Sequence, residues 1–176
     1  METEKTLLNA TVCLLVQRDE VQLGIKMGKI GKGCRNGPGG GIEEGETIKQ
    51  SAIRELEEET GKKIGNKYIT TSVEFLEKVA IIDFHNTKTN GETFICKVHF
   101  FIVRQWKGEA VDTKEMTDLK PFKISELPVD QMMPADRKFF KKILSGKKIV
   151  GIVKYGPYQK ELLEEPIFIE VDSFEE

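Results

Sequence analysis

Residues 40–62 read GGIEEGETIKQSAIRELEEETGK. A glycine cluster leads into this stretch. Thr47 and Gln50 stand three apart, as the two halves of a capping box do, and Gly61 follows where a helix would stop. The spacing predicts a helix over 47–60. At about 100° per residue, Ile48, Ala52 and Leu56 share one side, with Ile53 at its edge, and that stripe can dock on a sheet. Glu55, Glu58 and Glu59 fall on an adjoining arc, so one helix can bury a side and still present three carboxylates together.

A glutamate run on a helix is ordinarily a solvated face. Two physical costs set this one apart. Like charges at i,i+3 and i,i+4 destabilise a helix by about 0.2–0.5 kcal/mol per pair. They also sit toward the C-terminal half, where the macrodipole disfavours anions. A hard divalent cation, magnesium or manganese, relieves both, because it accepts carboxylate and carbonyl oxygens and keeps sites for water and phosphate.

The chain continues outward from this helix. Residues 10–16 and 21–27 read as two arms of a hairpin, and the glycine-rich 28–41 as a loop whose backbone can approach a ligand closely. Residues 68–82 read as a long strand, 85–92 as a polar connection with a turn at Asn90-Gly91, and 93–104 as the most apolar, central strand. A polar excursion over 105–118 carries Glu115. A short strand over 119–124, a helical turn over 125–128, a helix opening at Pro134 and running through Leu144, and strands over 148–155 and 166–171 complete it. Two helices with a mostly antiparallel β pattern predict an α+β or α/β/α layered domain.

The run Gly40, Glu46, then Arg54-Glu55-Leu56-Glu57-Glu58-Glu59-Thr60-Gly61 resembles the Nudix box. That resemblance implies an α/β (α+β) fold, a Nudix-type α/β/α sandwich with a mixed central sheet, in one domain over residues 1–176. It implies a pyrophosphohydrolase using Mg²⁺ or Mn²⁺, in which water splits a nucleoside triphosphate into a monophosphate and pyrophosphate. Glu55, Glu58 and Glu59 would hold metal, joined by the Gly39 carbonyl. Arg54 would orient a catalytic glutamate through a salt bridge, and Glu46 would brace the loop. Lys62 stands where an aliphatic residue is usual.

Residues 45–48 within the box, and 24–27, 36–37, 114–116, 122–133 and 147–155 outside it, are similar to the MutT-like 8-oxo-dGTP diphosphatases of the animal type. This implies nucleotide-pool sanitising that prevents DNA damage. It adds Glu115 as a further metal ligand or base, and Thr11, Lys26, Asn36, Gly39, Gly40, Met133 and Asp136 as nucleotide-binding residues. The chain departs from that group at 132–136, where the group carries a tryptophan, a proline and two adjacent aspartates. Here Met133 replaces the tryptophan and Ala135 the first aspartate. Arg35 stands where an aromatic precedes the asparagine. Another triphosphate, such as CTP or a different damaged purine nucleotide, is the alternative substrate. A non-catalytic nucleotide-binding module is a further alternative, and the complete Arg54, Glu55, Glu58 and Glu59 set argues against it.

The bulk properties exclude several classes. The chain has 176 residues, 39% of them hydrophobic and 32% charged, with a net charge of −2, which suits a globular domain and not a nucleic-acid binder. No apolar run is long enough to span a bilayer, and the acidic start has no secretory n-region. Cys13, Cys34 and Cys96 lie far apart, which predicts free thiols and a cytoplasmic location. His85 and His99 are not at metal-ligand spacing. We expect a monomer, with a dimer as the alternative.

Overall fold

The computed structural model describes residues 6–28 and 31–174. Residues 1–5, on which the expectation of no secretory leader rests, and residues 29–30 of the glycine-rich segment lie outside them.

β1 (Asn9–Gln17) turns at Arg18 and Asp19 into β2 (Glu20–Lys26). Two short strands follow, β3 (Arg35–Asn36) and β4 (Gly39–Gly41). Then come α1 (Ile48–Thr60), β5 (Leu76–Thr87), β6 (Thr93–Val103), β7 (Met116–Lys123), α2 (Asp136–Leu144), β8 (Lys148–Lys154) and β9 (Ile167–Val171). The sheet runs β3-β2-β1-β6-β5-β8-β9, with β4 beside β1 and β7 beside β2. β1 with β6 and β5 with β8 are parallel, and the other pairs are antiparallel. The central sheet is therefore mixed, and β6 lies in its middle.

Strand periodicity divides the core between the two faces. Cys13 and Leu15 of β1, with Phe101 and Val103 of β6, pack with Ala52 and Leu56 of α1. Val12, Leu14 and Val16, with Phe100 and Ile102, pack with Phe139, Phe140 and Ile143 of α2. On that second face the Phe100 ring meets Phe139 and Phe140 edge-on at 5.3 and 5.9 Å.

α1 begins as its sequence requires. The Thr47 side chain accepts from the Gln50 N–H at 3.1 Å, and the Gln50 side chain accepts from the Thr47 N–H at 3.0 Å. Gly61 ends the helix at φ 128°.

The structure corrects several boundaries. The segment read as a loop over 28–41 contains β3 and β4. The lack of a side chain at Gly37 and Gly39, where a β-carbon would strike the backbone of β1, lets this segment approach closely enough for Gly39–Gly41 to pair with it. β5 begins at Leu76 and not at 68; the chain before it runs along α1, where Ile69 is buried and its N–H donates to Thr60 Oγ1 at 2.9 Å. β5 then extends through His85, Asn86 and Thr87, which the polarity of 85–92 assigned to the connection. Met116–Lys123 is already strand, so the polar excursion ends at Glu115. α2 starts at Asp136, and the Ala135 N–H at its N-cap, which has no acceptor within the helix, donates to the Tyr155 hydroxyl at 2.9 Å. The expected helical turn over 125–128 is two short 3-10 turns, Ile124–Glu126 and Val129–Gln131.

Candidate active site

β1 builds the floor of the site. One edge of β1 pairs with β2 at Leu15–Gln17 and with β4 at Ala10–Val12, which sets Thr11 opposite Gly40. The backbone of β4 then lies directly under α1. A β-carbon on Gly40 would sit 2.6 Å from the Glu55 carboxyl carbon, so only glycine admits that carboxylate here.

Three carboxylates converge above β4. Glu55, Glu59 and Glu115 each offer an oxygen within 4.8 Å of the others. Glu55 and Glu59 come from α1 and are buried; Glu115 comes from the loop before β7. Glu58 does not join them. Its carboxylate turns toward Arg54 at 3.3 Å and Lys63 at 4.0 Å.

Two cations organise the cluster. Lys26 Nζ donates to the Gly39 carbonyl at 2.9 Å and to both oxygens of Glu59 at 2.8 and 2.9 Å. The Gly39 N–H also donates to Glu59 at 3.3 Å. Burial still dominates: it pushes the Glu59 carboxyl up to about 7 while Lys26 pulls it down. Arg54 clasps Glu46 through Nε at 2.7 Å and Nη2 at 2.9 Å, Glu55 Oε1 at 2.9 Å and the Gly41 carbonyl at 2.9 Å. Its hydrogen bonds hold the Glu46 carboxyl below the usual range. Glu46 in turn accepts from the Glu43 N–H at 2.8 Å, so loop, arginine and helix are tied together.

A pocket opens beside this cluster. Thr11, Lys26, Asn36, Gly39, Gly40, Met133 and Asp136 all line it, so it gathers every nucleotide-binding candidate read from the sequence. Its remaining wall comes from residues the sequence did not single out, chiefly Phe84, Asn86, Phe100 and Tyr155. The Phe84 and Tyr155 rings lie parallel with centroids 6.0 Å apart. Strand alternation was the available signal for Phe84 and Asn86, but Phe84 fell between the expected strand and the polar connection, and Asn86 within that connection. Thr11 Oγ1, Asn86 Oδ1 and Asp136 Oδ2 are buried there without a hydrogen-bond partner among the described residues. Burial pushes the Asp136 carboxyl up to about 7.

Arg35 is not part of the pocket wall. Its guanidinium donates to the Leu23 and Asp118 carbonyls at 3.0 and 2.8 Å, to Asp118 Oδ2 at 2.6 Å and, through Nε, to Gln131 at 2.7 Å. It also lies 4.9 Å from the Phe122 ring centre. The residue stitches β3 to β2, β7 and the turn before α2.

The donor set suits a hard divalent cation. It is anionic and all oxygen, and Glu55 Oε2 is buried with no partner among the described residues, an acceptor awaiting a cation.

Comparison with known proteins adds a family. The family model described as NUDIX domain matches residues 6–143. An oxidized purine nucleoside triphosphate hydrolase of Danio rerio is 36% identical over 145 residues, 82% of this chain and 85% of that protein. The protein of the same name from Mus musculus is 34% identical over 164 residues, 93% of this chain and 96% of that protein. The crystal structure of a mutator MutT protein from Bacillus halodurans superposes with a TM-score of 0.73 at 27% identity, covering 92% of this chain and 97% of that one.

Proposed function

The chain belongs to the NUDIX family of hydrolases, and from that membership we propose that it converts a nucleoside triphosphate to a monophosphate and pyrophosphate, with oxidised purine nucleotides as its substrate class. The observation that carries this reading is continuity. Lys26, Gly39 and Gly40 line the pocket and also touch the carboxylates, so a base in the pocket and a phosphate chain at the carboxylates belong to one ligand.

We take the metal to be magnesium, held by Glu55, Glu59 and Glu115 with the Gly39 carbonyl, which shares the Lys26 ammonium with Glu59, beside them. When bound, such an ion supplies positive charge against the phosphate oxygens and acidifies water. The chain's own residues do the rest. Arg54 fixes the Glu55 carboxylate, and the Arg54–Glu46 clasp holds the loop under it. Lys26 brings a cation to the junction of pocket and cluster, where the phosphate chain must pass. A carboxylate of the set accepts the proton that the attacking water gives up. Glu58, turned toward Arg54, positions that arginine.

In the pocket, Phe84, Phe100, Tyr155 and Met133 offer apolar surface to a flat base, and Asn36, Asp136 and Thr11 offer polar atoms to its edges. The names of the two relatives support an oxidised purine. A triphosphate with another base, such as CTP, is the second reading. Met133 and the fully buried Ala135 favour it, since they leave one carboxyl and no indole at this wall. We read residues 1–176 as one domain, monomeric and cytoplasmic. No helix among the described residues is long and apolar enough to cross a membrane, and Cys13, Cys34 and Cys96 are free.

The test is pyrophosphate release from 8-oxo-dGTP, dGTP, ATP and CTP. EDTA should stop release and Mg²⁺ restore it. Glu59→Gln and Glu115→Gln should each lower kcat on the order of 10²- to 10⁴-fold while the circular dichroism spectrum stays native. Wild-type turnover in both variants would overturn the site. Equal kcat/KM for 8-oxo-dGTP and dGTP would overturn the substrate class alone.

A further inference from the structure

β5 presents Ala80, Ile82, Phe84 and Asn86 in turn to the buried face, as alternate residues of a strand must. The first three are apolar and belong to the core around α2. The fourth is a primary amide, 1% exposed. Among the described residues its Nδ2 makes one long bond, to the Phe84 carbonyl at 3.4 Å. Its Oδ1 accepts nothing from the described residues. A buried amide oxygen left in this state is costly unless something else meets it. Asn86 lines the pocket, which places that oxygen where a pocket ligand can meet it.

We propose that Asn86 is a specificity-determining residue whose Oδ1 accepts a hydrogen bond from the exocyclic amino group of the nucleobase. The inference rests on the reading that this pocket receives the base. Asn36 supplies the complement. Its Oδ1 already accepts from the Gly37 N–H at 2.8 Å, which leaves its Nδ2 to donate. The pocket thus offers a donor from β3 and an acceptor from β5, on either side of the central strands. A base with one accepting and one donating edge satisfies both. Phe84, two residues before Asn86, supports the ring of such a base beside the amide.

The discriminating probes differ by the amino group alone. Binding of dGMP and dIMP is measured by titration calorimetry on the full chain in EDTA, so that catalysis plays no part. Wild type should bind dGMP about tenfold tighter than dIMP, the size of effect expected of one net hydrogen bond. Asn86→Leu should bring the two within about threefold, mainly by weakening dGMP. Asn86→Asp keeps an acceptor and should keep the preference. 8-oxo-dGMP, which retains the amino group, should weaken with dGMP in the leucine variant. No preference in wild type, or an undiminished one in Asn86→Leu, overturns the proposal. Should the leucine variant fail to fold, Asn86→Ala, which removes the acceptor without a bulky branched side chain, takes its place with the same expected and overturning results. The reading of the enzyme itself fails separately, if no triphosphate releases pyrophosphate.

Discussion

Gly40 shows how much of the site rests on single atoms. Adding one methyl there puts carbon 2.6 Å from the carboxyl carbon of Glu55, which is buried and held by Arg54, so the carboxylate has to leave its place. Gly40→Ala should lower kcat/KM about 100-fold, as an ångström-scale misplacement of a catalytic group does, with the protein still folded. Unaltered kcat/KM in a folded variant would remove Glu55 from the working site. At this scale the sequence was readable where chemistry follows from local spacing. The helical register put Glu55 and Glu59 on one arc, and the structure keeps them together. The same register grouped Glu58 with them; in the structure that carboxylate turns to the arginine four residues earlier, at 3.3 Å, a contact that spacing alone does not weigh. Glu115 and Asn86 owe their places to strands far away in sequence. Glu115 entered only through resemblance, and Asn86 fell in the polar connection.

At the scale of elements, α1 was fully legible, because its limits are set by chemistry within a few residues: Thr47 with Gln50 at one end, Gly61 at the other. Thr47→Ala removes the acceptor for the Gln50 N–H and should cost about 1 kcal/mol of stability, read as a lower midpoint in urea at unchanged slope. A midpoint equal to wild type would mean that docking of Ala52 and Leu56 on the sheet alone holds the helix end. Strands were less legible. β5 is polar at Asp83, His85 and Thr87 on one face and buried at Ile82, Phe84 and Asn86 on the other. Its far end therefore looks like loop until β6 and β8 are in place to pair with it. β3 and β4 are hidden in a glycine-rich segment for the opposite reason. Glycine is a poor strand former, yet it is what the contacts of Gly37 and Gly39 with the β1 backbone demand.

For the whole molecule, one sheet carries two cores, and the pocket opens on the α2 side, with Asp136 buried at its wall. Burial there reaches the pH dependence of global stability. The Asp136 carboxyl is raised by desolvation from 3.8 to about 7, so the folded state holds a proton that the unfolded chain releases. Between those values folding takes up protons, and stability falls as pH rises. The contribution is complete below about pH 4, is lost through pH 7, and is level above it. Burial raises Tyr155 and Cys34 as well, and Asp136 adds to both shifts, which couples these groups on the same wall. Glu59 has the same sign and window, so wild type alone would not isolate Asp136. The comparison is wild type against Asp136→Asn in urea unfolding at pH 4, 5, 6, 7 and 8, without nucleotide or metal. Glu59 then cancels, and the stability of the asparagine variant relative to wild type should climb between pH 4 and 7, by on the order of 1–3 kcal/mol, and level off. A constant difference across the series would mean that Asp136 titrates alike in the folded and unfolded chains. Its unpartnered oxygen would then be hydrated, and the pocket wall would be wetter than its residues imply.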